Sequence, residues 1–250
     1  MIYDCTIFFK EIDLLEFRIK YMMNYVDKFV IAESDKTFTG IPKPYYLESF
    51  LERISKIIDL DRIIYKKVIT PFNGNPWDSE SFQRNNSLPD NFSDDDIIYM
   101  GDIDEFPNFH SIPNNIEDWC TYRCNQSLSY YKFNNILNNL MFYGTHICRG
   151  KILRNKTVDF VRRNDISSII IQNGGWGFSY IGTKEEIISK IEAFSHSEFN
   201  TNEVKDNLQS KIDTLTDPFN RSGILFSVAD INTYPEIILK CMKEYPEWIA

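Results

Sequence analysis

Two aspartates spaced two residues apart, Asp102 and Asp104, end the run Ile97-Ile98-Tyr99-Met100-Gly101-Asp102-Ile103-Asp104-Glu105-Phe106-Pro107. The run is apolar with strand character until the acids arrive, and Pro107 then stops it. In an extended backbone, side chains at i and i+2 share one side, so both carboxylates aim beyond the carboxyl end of a strand. Two carboxylates that close repel each other unless a proton or cation lies between them. Hard oxygen ligands suit Mn²⁺ or Mg²⁺, which keeps coordination positions open for phosphate oxygens. Asp102 and Asp104 are therefore candidate metal ligands. The plainer use of aspartate after a strand is to turn the chain or cap a helix. Open α/β sheets bind ligands at strand carboxyl ends, which favours the metal reading.

Alternating elements must place this pair. Residues 2–9 read as a central strand, and residues 11–25 as an amphipathic helix with apolar Ile12, Leu15, Ile19 and Met22. Residues 27–32 form a second strand, 46–58 a helix, 62–69 a third strand, and a helix begins near Asp78 or Ser79. Residues 96–101 form the fourth strand, which carries the acids. The expected fold class is α/β, a mostly parallel central sheet flanked by helices. The second half is mixed, with short strands at 127–133, 140–143, 146–153, 166–172 and 176–181. Thr183 and Glu186 form a capping box for a helix over 185–194, and further helices are expected at 202–214 and from Pro235 to Lys243. No repeat or linker interrupts the chain, so residues 1–250 read as one domain, with a helical extension over 201–250.

A chain of 250 residues can bury a full core without disulfides. Its net charge of −9 argues against nucleic acid and anionic membranes as partners. An acidic protein that binds a diphosphate needs a cation or local arginines, which agrees with the aspartate pair. The 14 Tyr and 19 Phe serve the core, and aromatic faces also stack on sugars. Five scattered cysteines fit reduced thiols, and Cys120 with Cys124 lacks the second pair that zinc needs. Neither a signal peptide nor a membrane-spanning stretch is seen, so a cytoplasmic location, in a bacterium or a virus-infected host cell, is expected.

With these segments placed, the chain resembles the glycosyltransferase family that includes the β-1,4-mannosyl-glycoprotein 4-β-N-acetylglucosaminyltransferases. Matching blocks run in order from Ile2 to Glu198. They include Tyr3-Asp4-Cys5-Thr6, Glu11 to Arg18, Val26 to Ser34, and Thr37-Phe38-Thr39-Gly40 with Pro42-Lys43-Pro44. Trp77, Glu80 and Gln83-Arg84-Asn85 follow, then Asp102-Ile103-Asp104-Glu105-Phe106-Pro107. Gly175-Trp176-Gly177-Phe178-Ser179-Tyr180 and Ala193-Phe194-Ser195-His196-Ser197-Glu198 complete the series. Short motifs match by accident, but this many in order are specific. One position departs: the family has His after Trp in the Gly-Trp-His-Phe-Ser block, and here Gly177 stands there.

The resemblance implies a GT-A-like fold, Mn²⁺ or Mg²⁺, a UDP-sugar donor (UDP-N-acetylglucosamine in the named members) and inversion at the anomeric carbon. It divides the chain into a nucleotide-sugar-binding half, 1–107, and an acceptor half, 108–200. The expected acceptor is a glycan or glycolipid. Metal binding falls to Asp104 and Asp102, with His196 as a further ligand or a packed structural residue. Glu33 and Ser34 lie where a base or ribose would sit, and Thr39 and Lys43 belong to a loop that either closes over the donor or is merely solvated. Arg84 either forks onto phosphate or fixes a carboxylate, and Trp176 either floors the sugar site or belongs to the core. The base that an inverting transfer needs is Glu105, pointing opposite to the metal pair, or Asp165. Glu105 is equally a partner for Arg84. Gly177 leaves open a non-catalytic glycan- or nucleotide-binding relative, and the acids alone also suit a nucleotidyltransferase or phosphohydrolase.

Overall fold

The computed structural model describes residues 1–164 and 168–250. β1 (Ile2–Phe8), α1 (Ile12–Met22), β2 (Lys28–Ser34), α2 (Leu51–Ser55), β3 (Ile63–Val68), α3 (Pro76–Asn85) and β4 (Ile97–Asp102) make up the first half. Then come β5 (Glu105–Pro107), β6 (Tyr122–Tyr130), β7 (Asn135–Asn138), β8 (Phe142–Arg149) and α4 (Val158–Asn164). β9 (Ile169–Ser179), α5 (Lys184–Ala193), α6 (Asn202–Asp213), β10 (Leu225–Val228) and α7 (Glu236–Met242) complete the chain.

One ten-stranded sheet collects every strand, in the order β10-β7-β6-β8-β4-β1-β2-β3, with β9 pairing β6 and β5. The first four strands pair in parallel, as their helical crossovers require. β8 then docks antiparallel on β4, and β6, β7 and β10 continue outward antiparallel. The sheet is therefore mixed when taken whole: its first four strands are parallel as expected, and in the second half β9 also pairs parallel with β6.

Alternation along β1 explains how both faces are covered. Tyr3 and Cys5 join Val30, Ile98, Met100 and Cys148 on one face, where Val158 and Val161 of α4 cover them. The other face meets α1, whose Leu15, Phe17, Ile19 and Met22 are fully buried. Phe17 lies between the rings of Phe106 and Phe133, with centroids 4.8 and 5.1 Å away, and α7 adds Ile238 and Met242. The five cysteines are buried. Among the described residues, no helix is long and apolar enough to cross a membrane.

Several expected boundaries shift. The helix expected at 46–58 is a 3₁₀ turn over Leu47–Phe50 followed by the short α2, and Leu47, Ile54 and Ile58 anchor the segment in the core without one continuous helix. The strands expected at 166–172 and 176–181 are one strand, β9, which stays continuous through an irregular register with β6 between Cys124 and Gln126. The expected pair 140–143 and 146–153 is likewise one strand, β8, ended by a 3₁₀ turn at Gly150–Arg154.

Candidate active site

β1 and β4 are neighbours in the sheet, although β4 comes three strands later in the chain. The strand order reverses between them, and a parallel α/β sheet opens a crevice at such a point. A cleft of about 450 Å³ lies there, lined by Phe8 and Phe9 at the end of β1 and by Asp102, Asp104 and Glu105 at and beyond the end of β4. Arg84 from α3, Arg162 and Arg163 from α4, and Lys190 from α5 face the acids across it.

The acidic segment is not extended throughout. Asp102 ends β4, Ile103 and Asp104 turn, and Glu105 opens β5. The expectation that Glu105 points opposite to the aspartates therefore fails: the turn brings its carboxylate into the same cleft lining. Arg18 of α1 fixes the turn from below. Its guanidinium donates to Asp4 at 2.6 and 2.8 Å, to the backbone carbonyl of Asp102 at 3.2 Å, and to that of Glu105. Gly101 leaves room for this: a Cβ there would lie 3.2 Å from both the Arg18 Nη2 and a Glu105 oxygen. On the other side, the Phe178 amide donates to the Asp104 carbonyl at 2.8 Å.

The side chains form a shared ion network. Arg84 donates to Asp102 at 2.7 Å and pairs with Glu80 at 2.5 Å. Arg162 forks onto Glu105 at 2.7 and 2.9 Å and reaches Asp102 at 3.2 Å. Arg163 serves Asp159 at 2.8 Å and Glu80 at 3.3 Å. Lys190 lies 3.0 Å from Asp104 and 3.4 Å from Glu11. Among the described residues, four cations thus serve six carboxylates, Glu11, Glu80, Asp102, Asp104, Glu105 and Asp159. With all of them ionised, the network carries an excess of two negative charges.

The network sorts the acids. Burial opposes ionisation of Asp102, but the guanidinium groups of Arg162 and Arg84 outweigh it and hold this carboxyl well below the usual range. Burial pushes Glu105 upward, and the neighbouring Asp102 adds to that against the pull of Arg162. Burial also works against the Lys190 ammonium, but Asp104 and Glu11 more than restore it. Among the described residues, no three His, Cys, Asp or Glu side chains gather to hold a metal ion unaided.

The remaining candidates separate into cleft and scaffold. His196 lines the cleft, half exposed, with Nδ1 2.7 Å from Glu198 and its ring edge-on to Trp77. Lys43 also lines the cleft but is committed to Glu33 at 2.7 Å. Glu33 itself is fully buried, accepting from Lys43, the amides of Tyr46 and Leu47, and the Tyr65 hydroxyl. Ser34 is buried against Thr70 at 2.7 Å, and Thr39 donates to the Glu192 carbonyl at 3.2 Å. Trp176 packs on the α1 side of the sheet, near Tyr21 and Tyr234, and does not line the cleft. Asp165 lies outside the described residues. Sequence reasoning missed the roles of Arg18, Arg162 and Lys190; their only local signal was a charge among apolar helix positions.

A strand-end crevice at a reversal of sheet order, here walled by arginines and acids, is where α/β proteins of this kind bind their ligands. The chain belongs to glycosyltransferase family 17, whose family model matches residues 1–241, and it is a glycosyltransferase. None of the curated proteins compared with the chain matches it. Among similar solved structures is the inositol-1-phosphate CTP transferase from T. maritima, 12% identical, with a TM-score of 0.36. That match covers 99% of this chain and 97% of the other.

Proposed function

We propose that the cleft binds a UDP-sugar and passes the sugar, N-acetylglucosamine in our reading, with inversion to a hydroxyl of a glycan or glycolipid. The observation that carries this reading is the convergence of Asp102, Asp104, Arg84, Arg162 and Lys190 on one cleft at the β1–β4 reversal.

The charge balance bears on the metal. A diphosphate is anionic, and among the described residues the network around the cleft already holds two more carboxylates than cations. A divalent ion corrects that excess. Mn²⁺ and Mg²⁺ are held in such sites by one or two carboxylates plus substrate phosphates, so the lack of a three-residue cage is no obstacle. Asp102 and Asp104 would hold the ion. When bound, it supplies Lewis-acid stabilisation of the charge that grows on the leaving diphosphate.

The chain's own residues do the rest. Arg84 and Arg162 keep Asp102 ionised and oriented, and Glu105 holds the Arg162 fork flat with both its oxygens. We assign Glu105 to this positioning task, because it is 2% exposed and both its oxygens are occupied. Phe142 and Tyr143 line the cleft from β8 and offer apolar faces to an acceptor sugar.

A thermal-shift panel of UDP-, GDP- and dTDP-sugars with and without Mn²⁺ tests the reading. A UDP-sugar with Mn²⁺, at about a hundredfold excess over Kd, should raise the Tm by about 5–10 °C. Asp104→Asn should abolish that shift while leaving the ligand-free melt near wild type. No shift with any nucleotide sugar, or an equal shift in Asp104→Asn, would overturn it.

A further inference from the structure

Lys190 differs in kind from the other cations of the cleft. Arg84 and Arg162 are about nine-tenths buried and forked into several acceptors, so neither can leave without orphaning a carboxylate. Lys190 carries its charge on a flexible stem, is 26% exposed, and among the described residues makes its one side-chain hydrogen bond to Asp104, 3.0 Å away; Glu11 lies beside it at 3.4 Å but also accepts from the Lys10 amide. Ser179 also donates to that same Asp104 oxygen, at 3.2 Å, and keeps the carboxylate in place if the ammonium departs. A divalent cation that seeks Asp104 meets the ammonium first, and like charges at such range repel strongly.

We infer that Lys190 neutralises Asp104 while the cleft is empty and swings onto the diphosphate when the nucleotide arrives with its cation. This rests on the donor reading above. The consequence is a pair of effects of opposite sign. Lys190 opposes binding of the metal alone, and it favours binding of the nucleotide once the metal is in place. Arriving together, metal and diphosphate satisfy both the aspartate and the lysine; either alone leaves one of them wanting.

The test compares wild type, Lys190→Gln and Lys190→Arg in the full chain. Mn²⁺ binding without nucleotide is followed through the free-ion electron paramagnetic resonance signal, and UDP binding at saturating Mn²⁺ by calorimetry. Lys190→Gln should bind Mn²⁺ alone about tenfold tighter and UDP about tenfold more weakly, the usual scale for one close charge. Lys190→Arg, which keeps the charge and serves if the glutamine variant folds poorly, should stay within about threefold of wild type in both. If wild type binds UDP with Mn²⁺ but Lys190→Gln shifts both affinities the same way, or neither, the lysine assignment is wrong. If wild type binds neither Mn²⁺ nor UDP, the donor reading itself falls and takes this inference with it.

Discussion

Gly177 is a position where a neighbour has taken the space of a side chain. A Cβ there would lie 2.9 Å from Cε1 of Phe142 and 3.0 Å from Cδ1 of Leu128. The histidine seen at this position in the resembling family thus has no room without a shift of the Phe142 ring. Gly177→His should cost about 1–3 kcal/mol through overpacking, read as a lower midpoint in denaturant melts. Adding Phe142→Ala should return part of the loss, and strict additivity of the two changes would refute the steric account. The same scale decides how much of the site was legible. The spacing of Asp102 and Asp104 announced them, because two acids at a strand end are a local pattern. Lys190 and Arg162 gave no such sign, because they reach the acids across 86 and 57 residues of chain, from Asp104 and Glu105 respectively. Glu33 illustrates the opposite error of scale: a polar strand end looks like a rim, but four donors from the following loop and strand enclose it.

At the level of elements, local chemistry marks some boundaries clearly. Thr183 accepts from the Glu186 amide and Glu186 accepts from that of Thr183, so the start of α5 is written in two residues. Asn75 caps α3 one way only, its side chain accepting from the Trp77 amide, with Pro76 in the first turn. Both helices bring a cation to the cleft, so caps distant from the chemistry set where those charges stand. Thr183→Ala should lower stability by about 1 kcal/mol and the melting midpoint by about 2–4 °C, checked by circular dichroism. An unchanged melt would mean that α5 is held by packing alone. Elements with weaker punctuation were hidden, even where Thr157 accepts from the Phe160 amide at the start of α4. α4 follows a 3₁₀ turn and no capping box announced it, and the three-residue β5 exists only because β9 pairs with it. Gln83 shows what tertiary context adds: its amide donates to the Ala32 carbonyl at 2.8 Å and the Phe8 carbonyl at 3.4 Å, tying α3 to the ends of β2 and β1.

Across the whole molecule, the Arg18–Asp4 pair joins the central strand to α1 and, through two carbonyls, to the acidic turn. Both side chains are fully buried. Arg18→Met should destabilise the protein by about 3–5 kcal/mol, because it strands a buried carboxylate. The double variant Asp4→Leu/Arg18→Met should lose less than Arg18→Met alone, as measured by urea unfolding; a larger loss would show that the carbonyl contacts dominate. The order of the sheet has a further outcome during synthesis. β4 receives β1 on one edge from sequence already made, but its other edge waits for β8, which begins 40 residues after β4 ends. Until that partner leaves the ribosome, the strand that bears Asp102 presents bare amides and carbonyls beside Ile98 and Met100, an invitation to pair with another nascent chain. Fragments that stop short of residue 142 should therefore aggregate through the very strand that later anchors the chemistry.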